Sequence, residues 1–221
     1  MARLVEATLA FLQANLFHSW GLAIIVFSVV LKIVLFPIGI LTVRLQRGVS
    51  RVQAILVPQL AEIKANCDGE DAHNRIMSAH KVLGVSPFYS LKPLLGVFIQ
   101  VPVWIAVFNA LGEMPQLAGQ SFLWIDDLAY PDSFGFIALS LPLFGSKLSV
   151  LPVCMVVVMV CSTALFRNRH LATAEVNAQK RNLYLMAAAF FILFYPFPAV
   201  MVMYWTLANM LQTVQQQIVK I

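Results

Sequence analysis

The chain has 221 residues, of which 60% are hydrophobic and only 11% charged, with a formal net charge of +5 and a mean hydropathy of +0.82. Soluble chains carry about 25% charged residues, so too few polar groups are present to cover a folded surface, and lipid must solvate much of the chain. Apolar dominance excludes a disordered or collagenous protein, and three cysteines exclude a disulfide framework.

Residues 1–17 carry Val5, Leu9, Leu12 and Leu16 at helical spacing, while Arg3 and Glu6 break up any long apolar core. An amphipathic helix on the outer membrane surface is expected, rather than a cleavable signal peptide. A hydrocarbon core about 30 Å thick takes roughly 20 apolar residues of helix. The first such crossing is expected over 20–41, interrupted only by Lys32. Residues 44–85 then read as a helical hairpin. Leu45, Val49, Val52, Leu56, Leu60 and Ile63 form one stripe, Cys67-Asp68-Gly69-Glu70-Asp71 breaks it, and Ala72, Ile76, Ala79 and Leu83 form the other. Pro58 is expected to kink the first arm, and Arg44, Arg47 and Arg51 to lie where anionic lipid headgroups would be.

A second crossing is expected over 93–111, a polar loop over 112–147 and a third crossing over 150–166. The last apolar stretch, 183–211, is too long for one crossing and holds Tyr195-Pro196-Phe197-Pro198 at its centre. Proline removes a backbone donor and disfavours helix in the residue before it, so two short helices, 182–195 and 199–217, are expected to meet in a tight turn. The bilayer beside them should thin to match. The fold class is therefore all-α, a polytopic membrane protein with five transmembrane helices in one domain.

Orientation follows from the basic residues, which collect on the cytoplasmic side. Arg44, Arg47, Arg51, Lys64, Arg75, Lys81 and Lys92 fall between the first two crossings, and Arg167, Arg169, Lys180 and Arg181 after the third. Both segments are expected in the cytoplasm. The loop 112–147 sets Lys147 against Glu113, Asp126, Asp127 and Asp132, so it belongs outside with the N-terminus, and the C-terminal end with Lys220 returns inside. The net charge reflects this orientation and not nucleic-acid binding.

Lys32 is the foremost candidate site residue. An ammonium at the bilayer centre costs about 2.5 to 3.5 kcal/mol on insertion scales, so such a residue faces protein or water and marks a pathway. Ser28, one turn earlier, shares its face. Gln100 and Asn109 lie on the second crossing, and Trp205, Asn209, Gln212 and Gln216 repeat at four, three and four residues beside Tyr204 on the last. A polar stripe on each of three helices points to a shared wet groove. Asn109 and Gln216 also suit an interfacial placement, and Gln100 and Asn209 hydrogen bonds between helices. No metal-ligand spacing, nucleophile elbow or phosphate loop occurs, Cys154 and Cys161 suit packing, and the three aspartates read as surface. No enzyme chemistry, cofactor or metal is expected.

Four stretches, WGLAIIVFSVVLKIVLFPI, SPFYSLKPLLGVFIQVPVWIAVFNAL, FLWIDDLAYPD and YPFPAVMVMYWTLANMLQTVQQQ, occur in that order with a basic hairpin between the first two. Together they resemble the YidC/Oxa/Alb family of membrane protein insertases over nearly the whole chain. The resemblance implies a five-helix core in a bacterial inner membrane. It also implies a hydrophilic groove open to cytoplasm and lipid, and a protein that helps nascent membrane proteins enter the bilayer, alone or beside the Sec translocon, without nucleotide or metal. Lys32 matches the basic groove residue, which is usually Arg in the family; Gln100 matches a groove glutamine, and Tyr204 and Trp205 match positions that touch the passing substrate. Arg grips a carboxylate with two parallel hydrogen bonds whereas Lys is a point charge, so capture is expected to be weaker here. The family's extra N-terminal helix, periplasmic domain and ribosome-contacting basic tail have no match in these 221 residues, which leaves open a fragment, a minimal insertase or a paralogue with few clients. A small-anion transporter or channel, and a chaperone subunit that binds helices without inserting them, are the alternatives.

Overall fold

Apolar runs become helices along most of the chain in the computed structural model, which describes residues 2–92, 94–141, 145–165 and 173–218. Arg167, Arg169 and Lys220, on which the orientation partly rests, lie outside the described residues. The class is all-α, with helices α1 (Ala2–Leu12), α2 (Trp20–Val34), α3 (Phe36–Asn66), α4 (Gly69–Val82), α5 (Leu94–Glu113), α6 (Val150–Leu165), α7 (Thr173–Phe194) and α8 (Ala199–Ile218). Between α5 and α6 a short antiparallel pair forms from β1 (Gly135–Leu141) and β2 (Gly145–Leu148), with Gly135 opposite Leu148 and an irregular register after Phe136. The chain packs as two units. One holds α1, α2, α5 from Gln100, α6, α7 from Lys180, and α8; the other holds α3 from Pro37, α4, the start of α5, and α7 up to Gln179.

In the first unit α1 turns its Val5 and Leu9 inward and leaves Leu4 and Phe11 exposed; Leu16, expected on the same stripe, lies in a π-turn after α1 and is exposed. That π-turn, over Gln13–Phe17, ends at His18, whose left-handed backbone lets its N–H reach the Gln13 carbonyl. The chain then bends by 118° into α2. Ile24, Val107, Leu117, Ile125, Leu128, Met155, Val200 and Val202 form the fully buried centre, drawn from α2, α5, α6, α8 and the connection after α5.

That connection is tied down by its own carboxylates. Asp127 accepts from the Ala129 N–H at 2.9 Å and the Gly119 N–H at 2.8 Å. Asp132 is buried and accepts from the N–H groups of Val150 at 2.7 Å and Leu151 at 2.9 Å. It thereby caps the N-terminus of α6, where unpaired donors and the helix dipole favour a negative charge. Two backbone bonds do the same for α8: Ala199 donates to the Tyr130 carbonyl at 2.8 Å and Val200 to Leu128 at 3.0 Å. Of the three aspartates read as surface, Asp132 thus caps a helix and Asp127 pins the backbone of the loop.

In the second unit α3 and α4 close against each other through Val49, Leu56 and Tyr89, with Val52, Leu60, Ala79, Leu83 and Val85 around them. The hairpin's first arm does not begin at residue 44. It runs without a break from Phe36 to Asn66, with Pro58 inside it, because nothing between 36 and 44 stops a helix. The interruption falls at Leu35, since Pro37 has no N–H to offer a turn continuing from α2 and fits the second position of a new helix. Likewise α7 starts at Thr173, well before the apolar stretch, because residues 176–182 are mostly good helix formers.

Among the described residues no single helix is long and apolar enough to cross a membrane; the bent pair Ala2–Phe17 and Trp20–Val34 reaches that length and composition together. The 15 residues of α2 and 16 of α6 rise about 22 and 24 Å at 1.5 Å per residue, less than the roughly 30 Å of a typical hydrocarbon core.

Candidate functional site

The face of α2 that packs inward carries Ala23, Ile24, Phe27 and Ser28, all buried, while Val29, Val30, Ile33 and Val34 are exposed. Lys32 lies on the border between the two faces and is half-buried. Its ammonium donates to the Oε1 of Gln212 on α8. Ser28 does not join it, because its hydroxyl turns back to the Ile24 carbonyl at 2.7 Å.

One turn beyond Lys32 a second glutamine makes the same junction. Gln215, 3% exposed, donates through Nε2 to the Phe36 carbonyl at 3.2 Å, and its buried Oε1 has no partner among the described residues. Gln212 and Gln215 are three residues apart on α8 and face positions four apart across the helix pair. Further round α8, the Thr213 hydroxyl lies 2.9 Å from both the Ser162 hydroxyl of α6 and the Asn209 carbonyl. The Asn209 amide donates to the Trp205 carbonyl at 2.9 Å. The polar seam therefore links α2, α6 and α8.

The hydrogen-bonded seam takes in residues outside the expected stripe. Among the described residues no hydrogen bond joins Gln100 or Asn109 of α5 to Lys32; Gln100 is half-buried and Asn109 exposed. Gln215, Ser162 and Thr213 take part instead. Gln215 had one signal, its place three residues after Gln212, whereas lone hydroxyl residues in apolar helices carry none.

Tyr204 and Trp205 sit in an aromatic cluster. Trp205 meets Trp104 edge-on at 5.3 Å, Phe194 stacked at 5.3 Å, Phe190 at 5.5 Å and Phe108 at 5.9 Å between ring centres. Tyr204, 3% exposed, meets Phe108 edge-on at 6.3 Å. These are the offset and edge contacts aromatic quadrupoles prefer. The Trp205 indole N–H is buried with no protein partner. Tyr204 is thus a packed residue in this conformation and is not open to a passing chain. Among the described residues no three His, Cys, Asp or Glu side chains gather as metal ligands would. In the second unit His80 is buried against Tyr89, ring centres 6.2 Å apart, and burial raises the Tyr89 phenol above its usual range.

The model of a family described as 60Kd inner membrane protein matches residues 11–221. The chain is 28% identical to the membrane protein insertase YidC of Chlorobaculum tepidum, over 90% of this chain and 32% of that protein. To the protein of the same name in Chlamydia muridarum it is 31% identical, over 90% of this chain and 25% of the other. With that of Janthinobacterium sp. the identity is 29%, over 91% and 34%. The chain spans about a quarter to a third of the length of these curated relatives.

Proposed function

The chain belongs to the 60Kd inner membrane protein family, that of YidC, Oxa and Alb, and from that premise we propose that it inserts other membrane proteins into the bilayer. It crosses five times, with its N-terminus outside and its C-terminus in the cytoplasm. A client's short hydrophilic tail enters from the cytoplasm along the seam between α2 and α8, and its apolar helix then leaves sideways into lipid, where burial of apolar surface drives release. No nucleotide is needed. Short apolar helices such as α2 and α6 thin the bilayer beside them, which shortens the path a polar tail must travel. Nascent membrane proteins are the clients; the Sec translocon, the ribosome and anionic lipids are proposed partners.

The observation that carries this reading is Lys32, an ammonium on an apolar helix whose acceptor is a polar side chain of another helix. Such a charge is costly in lipid, so a seam that keeps it polar has a use for it, and a client carboxylate is the natural one. Trp205 and Tyr204 lie at the far end of the same helix as Gln212 and line the client's later path once the aromatic cluster opens. In a membrane positive outside, an acidic tail gains about 2.3 kcal/mol per charge per 100 mV.

The test uses liposomes containing only this chain and a labelled single-span client with an acidic or a neutral tail, scored by protease protection. Lys32→Arg should retain insertion, and Lys32→Ala should reduce it most for the acidic tail. Equal insertion by all three versions removes Lys32 from the mechanism, and no insertion by the unaltered chain refutes the function.

A further inference from the structure

Resting on that reading, we propose that Gln212 is an internal competitor that sets how strong an acceptor a client must bring before Lys32 will leave its own chain. The contact on which this stands is the donation from the Lys32 ammonium to the Gln212 amide oxygen. One N–H of this half-buried ammonium is already taken in the resting protein, so a client group that takes the place of Gln212 gains only the difference between its own bond and the bond it replaces.

That difference separates client chemistries. A peptide carbonyl, an Asn or a Gln offers Lys32 an amide oxygen, the same acceptor it already holds, and exchange yields nothing. A carboxylate offers a charge-assisted bond about twice as strong and balances a charge that the amide leaves uncompensated. Acidic tails therefore displace Gln212 and neutral tails do not. The seam holds the competitor in place. Gln215, three residues on, is buried and bonded to the Phe36 carbonyl, and Thr213 lies within hydrogen-bond reach of Ser162 on α6. Both contacts set the rotation of α8, so that Gln212 stays opposite Lys32.

A competitor has a signature that a client contact lacks. Removing it strengthens binding of every tail by one common factor, because the bond lost from the resting state is the same whatever arrives. Strengthening it weakens the acidic tail, which must displace it, and leaves the neutral tail little changed. The experiment measures binding of a fluorescent single-span peptide, its tail bearing two Asp or two Asn, to the full chain in phosphatidylcholine liposomes, where no anionic lipid competes for Lys32. Insertion into the same liposomes is scored separately.

Gln212→Met, close in volume but a poor acceptor, should tighten both tails by about tenfold. Gln212→Glu, which offers Lys32 a carboxylate from within, should weaken the Asp tail by at least a similar factor and leave the Asn tail little changed. Loss of the gain when Lys32→Ala is added to Gln212→Met separates it from non-specific binding; should Gln212→Met fail to assemble, Gln212→Ala takes its place. Weaker binding in the Met or Ala version would make Gln212 a client contact and overturn the proposal, as would unchanged affinities or unequal shifts of the two tails in that version. Failed insertion with the parallel shifts intact refutes the insertase reading and leaves the competitor standing. Intact insertion with no shifts does the reverse, and a wild-type chain that binds neither tail overturns both.

Discussion

Gly21 shows how closely single residues are specified. It begins α2 against the ring of Phe122, and a Cβ there would stand 2.1 Å from ring carbons, a distance no real contact adopts. Gly21→Ala is therefore expected to destabilise the first unit by about 1 to 3 kcal/mol, the usual range for overpacking, seen as a lower melting temperature in detergent. At Gly112 the same addition would meet only the flexible end of Met201, so Gly112→Ala serves as the mild control. Equal losses at both sites would refute the packing argument. Nothing in the sequence distinguishes these two glycines, since each opens or ends an apolar helix. Lys32 is the opposite case, visible at once because a charge in an apolar run is anomalous under any fold.

Among elements, α6 depends on a residue far from it in sequence. Asp132 caps it across 18 residues by taking two backbone donors, so Asp132→Ala should cost about 1 to 2 kcal/mol, the upper range for a lost cap. Fraying should show as faster amide exchange at Val150 and Leu151. Asp126→Ala, without a cap to lose, should leave exchange there unchanged; equal effects of the two changes would count against the cap. The hairpin of α3 and α4 carries a pH-dependent element in Tyr89, whose phenol burial raises from its usual 10.0. A raised value means the folded state holds its proton longer than the unfolded state. The stability contributed is complete below about pH 10 and is lost as pH rises through the folded value. Tyr89→Phe should flatten that alkaline decline in urea unfolding, and an unchanged decline would sink the assignment. Both stripes of this hairpin were legible because Val49, Val52, Leu56 and Leu60 recur at helical spacing, a local property. Its true starting point was not, since a lipid-length criterion ended the first crossing at 41 whereas the backbone is governed by Pro37.

For the whole molecule, the proposed topology makes position 32 accessible to water from the cytoplasmic side alone. In a chain freed of Cys67, Cys154 and Cys161, all of which carry free thiols, a cysteine at 32 should react with a membrane-impermeant thiol reagent added to the inner face of vesicles. Failure to react, or reaction from the outer face, would refute the groove. The helical class and the break at 195–198 were readable because hydropathy and proline act within a few residues of themselves, whatever the rest of the chain does, and the family was readable from four stretches in a fixed order. By itself the amino-acid sequence determined that this is a helical membrane protein with one anomalous charge in its first apolar run. Only the tertiary structure decided that Gln212 accepts from Lys32 and Gln215 donates to Phe36, that Tyr204 is buried among aromatic rings, and that Asp132 caps α6. Those outcomes depend on how helices rotate against partners distant in sequence, and a helical repeat defines a face without saying what it will meet.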